Sequence, residues 1–104
     1  MRRHKVRIVN GKMYISDNKI NGNNRNADAI VLQLDREFRG LRVYCVLFSG
    51  DNELICKYDG SPIVLPDKAY ERGDTIPLTV CGTDDSGVRV NVTNNSAFRV
   101  VRAQ

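Results

Sequence analysis

The sequence predicts an all-β protein: an antiparallel β-sandwich of about seven to nine short strands, opened by an N-terminal β-hairpin. Three observations predict it. Apolar residues recur at every second position in several short runs, the mark of strands with one buried face. The runs lie about 8–14 residues apart, separated by clusters of Gly, Asn, Asp and Ser. No window of 11 residues carries a convincing apolar period of 3.6, so helices are not expected beyond single turns. Two one-sided sheets bury their apolar faces most simply against each other. A small barrel is the alternative arrangement.

The elements follow in order. Val6 to Val9 and Lys12 to Ile15 are strand-like and are joined by Asn10-Gly11. That pair tolerates positive φ at both positions, as a type I′ turn demands. Residues 1–15 are therefore read as a hairpin. Residues 16–28 contain five asparagines and almost nothing apolar, and are read as a polar loop or linker. Residues 29–102 form the expected sandwich. Within it, Ile30, Leu32 and Leu34 share one face of the first strand. Leu41, Val43, Cys45 and Leu47 share a face of the second, and Leu54, Cys56 and Tyr58 of the third. A short piece at residues 62–65 precedes a polar break at residues 70–74. Ile76, Leu78 and Val80 then point one way, and Val88, Val90 and Val92 alternate after a turn at residues 83–87. Asn94-Asn95-Ser96 reads as a further turn before a closing strand at residues 97–102. Single helical turns are allowed at residues 34–41 and 66–72.

Composition bounds the function. A chain of 104 residues holds one domain and can bury a core without metal or disulfide help. There is no run of 18 apolar residues and no secretory signal, so no membrane span and cytoplasmic synthesis are expected. The three cysteines, Cys45, Cys56 and Cys81, are odd in number and fit no zinc spacing. They are expected as small buried core residues.

Chemistry is hard to assemble from these residues. His4, the sole histidine, stands in a charged terminus and is expected to be solvated. No catalytic triad is possible around it. The carboxylates Asp51, Glu53, Asp59, Glu71, Asp74, Asp84 and Asp85 flank turns, where acidic residues serve conformation. Asp17, Asn21, Gly22 and Asp28 match four positions of a calcium-loop template. Lys19 and Arg25 fill two others and would repel the ion. Phosphate-cradle motifs are missing, and the sequon matches at Asn91 and Asn94 read as strand and turn residues. No catalytic, cofactor or metal residue is therefore assigned.

The net charge of +4 has two sources. Arg2, Arg3, Lys5 and Arg7 crowd the N-terminus, and Arg89, Arg99 and Arg102 form a candidate basic surface on outward positions of the last strands. Nucleic-acid binding by a sheet pairs such cations with interleaved aromatics. Tyr44 and Phe48 share an outward parity but are not interleaved with the arginines. A solvated, edge-protecting role is the simpler expectation.

A layout then stands out. An apolar strand at Ala29 to Leu34 is followed by a strand pair turning at Gly50-Asp51 and a Pro-flanked short strand from Pro62 to Leu65. A Gly73-Asp74 break leads to a strand ending in Gly (Leu78-Thr79-Val80-Cys81-Gly82). The turn Asp85-Ser86-Gly87, then Thr93, and a final apolar strand from Phe98 to Val101 complete it. In this layout residues 27–102 resemble the N-terminal immunoglobulin-like domain of phage baseplate and tail-fibre proteins, the upper baseplate proteins nearest. The family's bulky aromatic after the Thr is represented at best by Phe98. The resemblance implies an immunoglobulin-like sandwich and a non-enzymatic assembly module. It implies a place in the virion, contacts with other virion proteins, and homo-oligomers, commonly trimers. The hairpin is then the candidate assembly contact, through Val6, Ile8, Met13, Tyr14 and Ile15. The opposite arrangement, in which the hairpin folds back onto its own sandwich, stays open, because a lone hairpin must pack on something. Two other functions compete: a carbohydrate-binding sandwich, and a small basic nucleic-acid-binding protein, which the weak stacking pattern makes less expected.

Overall fold

The computed structural model describes residues 1–24, 27–70 and 74–102. Nine strands run through them: β1 (Arg2–Val9), β2 (Lys12–Ile15), β3 (Lys19–Asn21), β4 (Asp28–Leu34), β5 (Arg42–Ser49), β6 (Asn52–Tyr58), β7 (Ile63–Val64), β8 (Thr75–Asp84) and β9 (Gly87–Val101). Two 3-10 turns, Arg36–Phe38 and Asp67–Tyr70, fall where the sequence allows single helical turns. The polar break at residues 70–74 lies mostly outside the described residues.

Two sheets pack face to face. One has the order β2-β1-β4-β7 and the other β3-β9-β8-β5-β6. Their facing residues make one core. Val6, Ile8, Ile30 and Leu32 come from the first sheet, and Cys45, Leu47, Leu78, Val80 and Phe98 from the second. Every one of these follows from alternation, since side chains two apart share a face. Asn10 and Gly11 both take positive φ, 51° and 76°, so the β1–β2 turn has the expected form.

The sheets are not purely antiparallel, which corrects the sequence reading. β1 runs parallel to β4, from Arg2 opposite Asp28 to Ile8 opposite Leu34. β3 runs parallel to β9. Parallel neighbours need a crossover, and the polar segment after the hairpin supplies it. The chain leaves the first sheet after β2, adds β3 to the second, and returns as β4.

That route also removes the divisions at residues 15 and 28. β1 lies between β2 and β4, so the hairpin is part of the sandwich. The expected linker contains β3, whose Ile20 is fully buried. Gly22 follows so close to β9 that a Cβ would lie 2.8 Å from Val100 Cγ1. Only a residue without a side chain fits there undisturbed.

β9 also continues through the expected turn at residues 94–96. Its register with β8 shifts between Ile76 opposite Phe98 and Leu78 opposite Asn94. Pro77 stands opposite the shift and has no N–H to donate. The extra residues bulge there, and Ser96 N–H donates to Asn94 Oδ1 at 3.0 Å. Among the cysteines only Cys45 is fully buried; Cys56 and Cys81 are half-buried.

Ile20→Ala tests whether β3 belongs to the core. Truncating a fully buried Ile costs about 2–5 kcal/mol, so the urea midpoint should fall markedly. A change within about 0.5 kcal/mol, as at an ordinary surface position, would return residues 16–28 to a linker.

Candidate functional site

The alternation that buries Val6 and Ile8 also carries His4 inward. On the neighbouring parallel strand it carries Asp28 inward beside Ile30. His4 is 0% exposed and Asp28 2%. Their side chains meet, with His4 Nε2 2.6 Å from Asp28 Oδ1. His4 Nδ1 lies 2.5 Å from the Asp17 backbone carbonyl. A carbonyl only accepts, so Nδ1 must carry a proton. The other carboxylate oxygen, Asp28 Oδ2, accepts from the Tyr70 hydroxyl at 3.0 Å. The imidazole also meets the Phe98 ring in a T-shaped contact, with centroids 5.5 Å apart and planes at 77°.

This cluster overturns the expectation that His4 is a solvated tail residue. Burying such groups is costly unless they are hydrogen-bonded. Here each has its partners, and four chain segments are tied at one point. Burial, then the hydrogen bond to Asp28, pushes the Tyr70 hydroxyl up to about 12. It therefore remains a donor. His4, Asp28 and Tyr70 are all buried, so the cluster's geometry holds strands together.

The structure distributes the candidate contact residues unevenly. Val6 and Ile8 are core residues at 0% and 1% exposure and cannot reach a neighbour. Met13 and Ile15 are half-buried against the core. Tyr14 alone of the five stands out, 53% exposed, with the Arg7 guanidinium 5.9 Å from its ring centroid.

The candidate basic residues do not form one patch. Arg89 Nε bonds Asp84 Oδ2 at 2.9 Å beside the β8–β9 turn, and it holds the Asp84 carboxyl below its usual range. Arg99 lies toward the other end of the same strand, next to Lys19. Ten residues of strand separate the two by roughly 30 Å. Arg102 Nη2 donates to the Tyr70 carbonyl at 3.0 Å.

A different cationic surface appears instead. Arg3, Lys5 and Arg7 occupy the outward positions of β1, spaced about 7 Å apart. Lys12 and Tyr14 lie beside them on β2, and the outward positions of β4 carry Ala29, Val31 and Gln33, none of them acidic. The same alternation, read on its other parity, locates this stripe. Edge protection does not account for Arg7, because β1 is flanked there by both β2 and β4; Arg3 lies before the stretch that β2 covers. Arg2 is engaged separately, its Nε 2.7 Å from Asp17 Oδ2, and it lowers the Asp17 pKa. The calcium-template residues thus part company, Asp17 to Arg2 and Asp28 to His4. No helix among the described residues is long and apolar enough to cross a membrane.

No family model matches the chain, and no curated protein matches it in sequence. Among solved structures, the N-terminal domain of phage TP901-1 ORF48 shares its fold, with a TM-score of 0.68, 16% identity, and coverage of 100% of both chains. The likeness to an N-terminal domain of a phage protein is thus borne out at the level of the fold. It also takes in residues 1–26, which lie outside the layout read from the sequence.

The Tyr70 hydroxyl gives a pH test. Below pH 10, the ordinary tyrosine value, folded and unfolded chains both keep the proton. Between 10 and about 12 the unfolded chain loses it first, so stability falls as pH rises. Burial of the Cys45 thiol, raised from 9.0 to about 12, acts in the same direction. Urea midpoints of Tyr70→Phe should therefore decline less steeply above pH 10 than those of the wild type. Equal slopes would contradict the buried hydroxyl.

Proposed function

We propose that the chain is a non-enzymatic structural module of a phage virion, acting in a baseplate or tail through protein–protein contacts. Its partners are other virion proteins and copies of itself; in the family it resembles, the copies are commonly arranged in threes. The observation that carries this reading is the end-to-end fold match with a domain of a phage protein. The buried cluster supports it, because the polar groups best placed for chemistry are spent on holding β1, β4 and the second 3-10 turn together. What the molecule offers to the outside is sheet faces and sheet edges. Such surfaces suit docking, since an unpaired edge presents backbone hydrogen bonds to a neighbour. Immunogold labelling of particles from the phage or lysogen that carries the gene tests the proposal. Label at the tail or baseplate is expected; label confined to unassembled protein would contradict it.

One observation favours a second reading. The Arg3-Lys5-Arg7 stripe beside Tyr14 could follow a nucleic-acid backbone. The same stripe equally suits an acidic face of another virion protein. Electrophoretic mobility of short single-stranded and duplex oligonucleotides separates the two. The structural reading expects no complex at about 50 mM salt. A complex that weakens steeply with salt and is lost in Arg3→Glu/Arg7→Glu would favour nucleic acid.

A further inference from the structure

The four sheet edges are unequal. β2 has 4 residues, β3 has 3 and β7 has 2. β6 has 7, pairs only with β5, and holds that register without a shift from Tyr58 opposite Val43 to Asn52 opposite Ser49. It has neither Pro nor bulge, the usual devices that blunt an edge. Its outward side chains are Glu53, Ile55 and Lys57, and Ile55 is 65% exposed.

The backbone of β6 is ordered in the same rhythm. Ser49 and Asn52 flank a two-residue turn, so they form the first hydrogen-bonded pair of the β5–β6 ladder. Such pairs alternate along antiparallel strands. Asn52, Leu54, Cys56 and Tyr58 therefore bond to β5. The N–H and C=O groups of Glu53, Ile55 and Lys57 point away from it, toward the open edge. Among the described residues they take no other backbone partner.

We propose that β6 is a self-pairing edge: two copies of the chain join antiparallel across a two-fold axis at Ile55, making one continuous sheet. The occupant follows from charge. In that register each Glu53 faces the copy's Lys57, twice over, and Ile55 faces its own copy. On the inner side Leu54 faces the copy's Cys56, covering two half-buried core residues. The outward backbone groups of Glu53, Ile55 and Lys57 then exchange about six hydrogen bonds. A slip of two residues sets Ile55 against a charge. Protection by charge alone needs no such symmetry, since any Lys or Glu would serve. The proposal rests on the reading of the chain as a self-associating module and gives that association a surface.

A single-strand edge is smaller than a standard interface, so the association is weak, with dimers filling over about 10–500 µM. Sedimentation velocity across that range tests it. The wild type should approach twice the monomer mass. Glu53→Lys sets Lys against Lys, and Lys57→Glu sets Glu against Glu; each should weaken dimers about tenfold or more. Both substituted residues are exposed, so folding is not at stake. An equimolar mixture of the two single variants, or the double swap Glu53→Lys/Lys57→Glu, should restore association. A wild type monomeric at the top concentration would overturn the pairing, as would single variants that associate unchanged. A charge-insensitive trimer would sink the pairing and leave self-assembly standing. Tail labelling with a monomeric chain would likewise separate this inference from the virion role.

Discussion

The hydrogen-bonded contact between His4 and Asp28 governs the arrangement of the N-terminal third of the chain. Asp28 holds His4 on one side and Tyr70 on the other, and Asp17 receives the second ring nitrogen. Removing a partner from such a buried set costs more than the set contributes, about 3–5 kcal/mol, because the remaining groups lose both water and protein. The cluster therefore specifies a register. His4 reaches Asp28 and the Asp17 carbonyl together when β1 lies parallel to β4. Once β1 is placed there, β2 becomes an edge by its tight turn, and the polar segment must cross to the other sheet as β3.

Much of the sandwich is legible in the sequence. Strands β4, β5, β6 and β8 each repeat apolar residues at every second position, and Asn10-Gly11 fixes the first turn. What is hidden has physical reasons. β3 is three residues long and has one apolar side chain, Ile20, too little for a periodic signal. The parallel pairings join segments far apart in sequence, and alternation says which face is buried but not which strand lies alongside. Asn94-Asn95-Ser96 carries turn chemistry, and the structure uses it in a bulge opposite Pro77 rather than at a chain reversal. His4 is polar and terminal, which masks it, although its parity with Val6 and Ile8 points inward. Asp28 is masked in the same way at the start of β4, two residues before Ile30.

The surfaces are legible to the same degree. Alternation sorts Arg3, Lys5 and Arg7 onto one outer face, yet the topology is needed to see that β1 is an interior strand. Only then does the stripe stop being edge protection at Arg7, where β2 and β4 both flank the strand. It becomes three like charges held side by side, an arrangement that costs stability. The opposite happens to Val6 and Ile8, whose apolar character attracts attention as a contact and whose parity places them in the core. A closed core, a cationic sheet face and one long open edge are consistent with the docking role proposed for the chain. That agrees with the fold it shares with a phage protein domain.

Amide hydrogen exchange along β1 tests the central claim most directly. If the buried cluster makes β1 an interior strand, the amides of residues 4–8 that bond to β2 and β4 exchange only with global opening, as slowly as those of β5 and β8. Exchange of those β1 amides near the rate of an open chain, while β5 and β8 stay protected, would show the hairpin detached and contradict the account.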